Sequence, residues 1–93
     1  MRMAEIIRDK LTVELAPERL EIVDESAQHA GHVGARAGGE THFRLTVVAD
    51  GFSGLSRVER QRRVYAILAA EMRDRIHALS VSALTPDEAW RST

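Results

Sequence analysis

Apolar side chains return every four residues at the start of the chain, at Met3, Ile7, Leu11 and Leu15, with charged residues between them. That spacing lays the four along one stripe of a helix, and Pro17 cannot continue it, so an amphipathic helix is predicted over residues 2–15. The period then changes. Leu20 and Ile22 share one side of a segment running from Arg19 to Asp24. From Thr41 to Ala49 the chain sets Phe43, Leu45, Val47 and Ala49 against His42, Arg44, Thr46 and Val48. Both segments read as half-buried strands. The connector from Ser26 to Glu40 contains Gly31, Gly34, Gly38 and Gly39 and little that could enter a core, so an exposed, mobile loop is expected there.

Beyond a turn at residues 50–54, Ser56 and Glu59 have the spacing of a capping box. They open a helical segment with Tyr65, Leu68, Met72 and Ile76 on one face, predicted to end near Arg75. Alternation resumes from Ala78 to Leu84, with Leu79, Val81 and Ala83 on one side, which predicts a third strand. Thr85, Pro86 and Glu88 then supply an N-cap, a proline at the first helical position and a capping-box acid, so a short helix should follow. The order helix, strand, strand, helix, strand, helix implies an α+β fold in two layers, a three-stranded sheet with its helices packed on one face. Residues 1–93 are read as a single domain without internal repeats.

Composition narrows the function classes. A chain of 93 residues, 44% hydrophobic and 29% charged, suits one small domain that seldom encloses a deep active site. Thirteen basic and fourteen acidic residues leave a net charge of -1, so no global field draws the protein to nucleic acid or to an anionic membrane. The longest apolar runs are far short of the ~20 residues that span a bilayer, and the start MRMAEIIRDK is charged, unlike a secretory leader. A cytoplasmic location without membrane attachment is the expectation. Cysteine is absent, which excludes a disulfide framework and a self-sufficient thiolate site.

Histidine is the candidate chemistry. His29, His32 and His42 fall within fourteen residues and His77 stands alone. Imidazole is the commonest protein metal ligand, and without thiols any soft-metal site on this chain must be completed by another molecule. Each histidine also has a plainer reading. His77, between Ile76 and Ala78, suits a hydrogen-bonded residue or a cation at a helix C-terminus. His29 and His32 suit solvated loop positions. His42 alternates onto the face opposite Phe43 and Leu45, as an exposed residue or one that supports a ligand rather than being one. Asp24 and Glu25 are adjacent on a strand, so they point to opposite faces and do not form an acid–base pair. No nucleophile elbow, P-loop or dinucleotide fingerprint occurs.

Several of these residues stand together in a familiar order. Asp24-Glu25-Ser26 with His29, Glu40-Thr41-His42-Phe43, Phe52-Ser53-Gly54-Leu55-Ser56, Arg60-Gln61-Arg62-Arg63-Val64-Tyr65 and Ile76-His77-Ala78-Leu79 together resemble the BolA family over nearly the whole chain. Gln61 departs from the pattern, standing where the family usually has histidine between two arginines. The resemblance implies a class II KH-like fold and a non-enzymatic role in iron–sulfur cluster handling alongside monothiol glutaredoxins. In such a heterodimer the glutaredoxin cysteine and glutathione supply thiolates to a shared 2Fe-2S cluster and the BolA-like partner supplies histidine nitrogen. His77 corresponds to the family's near-universal ligand and His29 to the loop ligand of the subgroup that uses histidine there, with His32 as a substitute. Alone, the chain is expected to be a monomer or weak homodimer.

Nucleic acid is the competing partner. Arg57, Arg60 and Arg63 repeat every three residues, Arg62 joins them, and from Ser56 to Arg75 six arginines face three acids. A cationic helix binds phosphate, and KH-like folds have nucleic-acid-binding relatives, which makes a transcriptional regulator the alternative reading. Gly51-Phe52-Ser53-Gly54 matches the G-x-x-G of KH domains but follows a strand instead of joining two helices. The spacings Glu59–Arg63 and Glu71–Arg75 also suit an ordinary solvated helix face. A third reading has the same arginines docking on an acidic protein surface without metal.

Overall fold

The computed structural model describes residues 2–25 and 41–91. The elements in chain order are α1 (Met3–Leu15), β1 (Arg19–Asp24), β2 (His42–Val48), α2 (Arg57–Ile67), α3 (Ala69–Asp74), β3 (Ala78–Leu84) and α4 (Pro86–Arg91), with a 3-10 turn at Asp50–Phe52. The connector over residues 26–40, and with it His29 and His32, lies outside the described residues.

The four-residue apolar repeat of α1 is buried in full. Each of Met3, Ile7, Leu11 and Leu15 gains about 2 kcal/mol over an exposed position. The helix stops where Ala16 takes left-handed backbone at φ 43° and returns its N–H to the Thr12 carbonyl, immediately before Pro17.

The sheet order is β1-β2-β3, with β1 antiparallel and β3 parallel to the central β2. A parallel neighbour requires a crossover, which α2 and α3 provide. Phe43, Leu45 and Val47 of β2 pack with the α1 stripe and with Val64 and Leu68. Arg44, Ser80 and Ser82 on the other face are exposed. The result is the expected α+β two-layer, class II KH-like arrangement.

One expectation needs correction. The helix predicted to run unbroken to Arg75 is two helices, because Leu68 leaves helical geometry at φ -100°, ψ 19°. The Leu68 N–H still reaches the Val64 carbonyl at 3.1 Å and Met72 N–H reaches Leu68 at 2.9 Å, so hydrogen bonding bridges the break. No glycine or proline marks this site. At the break Leu68 is fully buried in the core, and beyond it α3 meets α1 through the Lys10–Glu71 ion pair at 2.8 Å.

An edge strand presents unpaired backbone groups, and β3 is such a strand. Its Leu84 carbonyl faces β2, accepting from Ala49 N–H, so by alternation the carbonyls of Leu79, Val81 and Ala83 face outward. Three side chains of α2 meet them. Tyr65 Oη donates to Leu79 at 2.6 Å, Gln61 Nε2 to Val81 at 2.7 Å and Arg60 to Ala83 at 3.0 Å.

Arg60 extends this seam to α4. Its guanidinium also donates to the Leu55 carbonyl and to both oxygens of Glu88, at 2.6 and 3.3 Å. That hydrogen-bonded cation, followed by the Thr85 N–H, lowers the Glu88 carboxyl from the ordinary 4.5 to about 2. A carboxyl whose folded-state value is depressed binds fewer protons folded than unfolded between those limits, so its stabilisation is complete above about 4.5 and disappears as pH falls toward about 2. Urea melts across this acid window should show Glu88→Gln losing stability less steeply than wild type. Parallel slopes would remove Glu88 from the account.

Candidate functional site

Parallel pairing sets the starts of β2 and β3 side by side, with His42 in register with Ala78. Thr41, just before β2, is 2% exposed. Its carbonyl accepts the N–H of His77 at 2.7 Å and of Ala78 at 3.2 Å. Its hydroxyl lies 2.8 Å from His42 Nδ1. The two imidazoles consequently meet at one corner of the sheet, ring centroids 5.8 Å apart and nearly perpendicular. His77 is exposed and His42 half-buried.

Beside the pair, a shallow depression of about 210 Å³ is lined by Glu25, His42, Phe43 and Ala78 to Ser80. Glu25 closes its rim, donating its N–H to the His42 carbonyl at 2.7 Å while its carboxylate pairs with Arg44 at 2.6 Å. Among the described residues no group of three or more histidine, cysteine, aspartate or glutamate side chains could hold a metal ion. Two imidazoles at an open corner suit a donor set finished by other groups, and they supply neutral nitrogen where thiolates would supply negative charge.

In the sequence His77 stands out as a ligand, His42 only as an exposed or supporting residue, and Thr41 only as a strand position within the family motif. What joins them is the parallel register of β2 and β3. The helical crossover was the available signal, because it forces the two strands to run the same way.

The arginine surface requires a second correction. Arg60 is 8% exposed and fully engaged with Leu55, Ala83 and Glu88, so it is not part of a phosphate-binding face. Burial is tolerable because the carboxylate and two carbonyls replace its hydration. Arg57, Arg62 and Arg63 remain exposed. They do not form one stripe: Arg57 lines a groove with β3 and α4, whereas Arg63 lines a cleft with α1. Gly51 to Gly54 is the turn into α2, with Gly54 at φ 81°, and does not join two helices.

Gln61 also finds its role on the β3 edge. Its bond to Val81 lies about 13 Å along the strand from His77, counting four residues of rise, which separates this position from the imidazole pair. A histidine there retains a ring N–H donor. Gln61→His should therefore stay within about 0.5 kcal/mol of wild type in urea denaturation, while Gln61→Ala, leaving a carbonyl unmet, should lose about 1 kcal/mol. Equal losses for both would contradict the edge-capping role.

The geometry defines a class II KH-like domain with an open, two-imidazole corner. Comparison with known proteins then places it: residues 11–88 match the BolA-like protein family, and the chain belongs to that family. It is 49% identical over 86 residues to SufE-like protein 1, chloroplastic/mitochondrial, of Arabidopsis thaliana, covering 88% of this chain and 23% of the relative. It is 39% identical over 87 residues to the DNA-binding transcriptional regulator BolA of Vibrio cholerae, covering 94% of this chain and 77% of the relative. The solved structure of BolA1 from Arabidopsis thaliana superposes with a TM-score of 0.83 at 41% identity, covering 95% of this chain and 96% of that one. The chain thus spans about a quarter of the plant SufE-like relative, and 52% of the curated BOLA1 of the same plant.

Proposed function

We propose that this protein is a non-enzymatic partner of a monothiol glutaredoxin and helps to ligate a 2Fe-2S cluster used in iron–sulfur cluster assembly, trafficking or iron sensing. One observation carries the reading: the exposed His77 imidazole stands beside His42 at an open corner of the sheet. In this reading His77 is the ligand from the described fold and His29, or His32 in its place, the ligand from the connector. The glutaredoxin cysteine and glutathione supply the thiolates that this cysteine-free chain lacks. When bound, the cluster supplies one-electron chemistry, and exchanging anionic thiolate for neutral imidazole makes it easier to reduce.

The test is anaerobic cluster reconstitution on a monothiol glutaredoxin with glutathione, followed by visible circular dichroism. Adding wild-type protein should give a spectrum distinct from that of the glutaredoxin alone, and His77→Ala should abolish or alter it. No spectral change on adding wild type would sink the proposal.

The name of the Vibrio cholerae relative favours a second reading, DNA binding. Exposed Arg57, Arg62 and Arg63 are its available contacts. Affinity resting on them would fall steeply between low and physiological salt and weaken in Arg62→Ala or Arg63→Ala. The separation of Arg57 from Arg63 and the internal engagement of Arg60 place this reading second.

A further inference from the structure

We infer that Thr41 is the positioning residue of the imidazole corner, anchoring the His77 backbone through its own backbone carbonyl and orienting the His42 ring through its side-chain hydroxyl. The backbone carbonyl takes the His77 and Ala78 N–H groups, and the side-chain hydroxyl meets His42 Nδ1. A threonine 2% exposed has almost no freedom to rearrange, so the two contacts are fixed relative to each other. The hydroxyl serves Nδ1 as donor or acceptor according to tautomer. In either case Nδ1 is tied inward, which fixes the rotation of the ring and sets the direction of Nε2. The perpendicular His42 ring then forms a wall for the His77 ring at 5.8 Å and limits its rotamers. Valine has the shape of threonine without the hydroxyl, and serine has the hydroxyl without the methyl, so the pair separates hydrogen bonding from packing.

Two readouts test this, and only the second rests on the cluster reading above. In the protein alone, long-range proton–nitrogen NMR of the imidazoles at about pH 8, above the ordinary imidazole value, should show the same His42 and His77 signals in wild type and Thr41→Ser. In Thr41→Val the His42 Nδ1 signal should shift as its hydrogen bond is lost, and the His77 signals should shift with it. In the reconstituted complex, Thr41→Val should weaken cluster retention about 10-fold to 100-fold, and Thr41→Ser should restore it. Should Thr41→Val fail to fold, His42→Phe tests the same coupling from the other side: the His77 signals should shift when the ring stays and its Nδ1 contact is lost. Unchanged imidazole signals in a folded Thr41→Val, or in His42→Phe, would overturn the positioning role. If His77→Ala leaves the cluster spectrum intact, the cluster reading fails while the NMR result still decides Thr41; if His77→Ala abolishes it and Thr41→Val does not weaken it, Thr41 does not position the ligand.

Discussion

Arg60→Ala should lose about 3 kcal/mol of folding stability, while Arg62→Ala, two residues along the same helix, should change it by less than about 0.5 kcal/mol. The contrast follows from environment. Arg60 is 8% exposed and its guanidinium serves the Leu55 carbonyl, the Ala83 carbonyl and the Glu88 carboxylate. Truncation leaves two backbone acceptors short of a donor, at about 1–2 kcal/mol each where water cannot enter fully, and removes the packing of the buried stem. The Glu88 side chain is 37% exposed, so its carboxylate rehydrates and adds little to the loss. The loss should appear in urea as a midpoint lowered by about 2 M at unchanged slope. A double-mutant cycle with Glu88→Gln should show that the two losses are not additive, since both residues act in one network. Equal effects of Arg60→Ala and Arg62→Ala would return Arg60 to the solvated face.

The larger loss should come from Phe43→Ala, about 4 kcal/mol. Phe43 is 2% exposed and lies in register between Asp24 of β1 and Leu79 of β3. It packs in the core with the α1 stripe, and the chain places it directly after His42. Removing the ring opens a cavity where two layers meet, and a rigid strand bonded on both sides cannot collapse to fill it. A domain of this size holds roughly 5–10 kcal/mol, so the variant should be only marginally folded at 37 °C. Phe43→Leu, nearer in volume, should cost less than about 2 kcal/mol. Chemical denaturation of the two variants beside wild type settles the matter, and similar midpoints for Phe43→Ala and wild type would show that the core does not depend on this ring.

Much of this protein was legible before any coordinates because its periodicities are local and unbroken. The repeat Met3, Ile7, Leu11, Leu15 specifies a helix and its buried face together, and the observed boundaries Met3–Leu15, Arg19–Asp24 and Ala78–Leu84 follow the pattern closely. The Ser56–Glu59 and Thr85–Glu88 capping boxes formed as their spacing requires, since a cap is satisfied within four residues. His77 was legible as a candidate, through the family resemblance more than through its surroundings.

Three features were decided only by tertiary structure. The break at Leu68 has no breaker residue, and no local signal in the sequence marks it. Arg60 looked like one more cation on a polar helix face, yet it is buried because β3 and α4 bring the Ala83 carbonyl and the Glu88 carboxylate to it, beside the Leu55 carbonyl ahead of its own helix. The nearness of His42 to His77, and the double role of Thr41 between them, comes from parallel strand register across 35 residues of chain. Periodicity reports which face of an element is apolar. Partners distant in sequence leave no periodic trace, so hydrogen-bonded and paired polar groups of this kind were set by the fold and not readable from the order of residues.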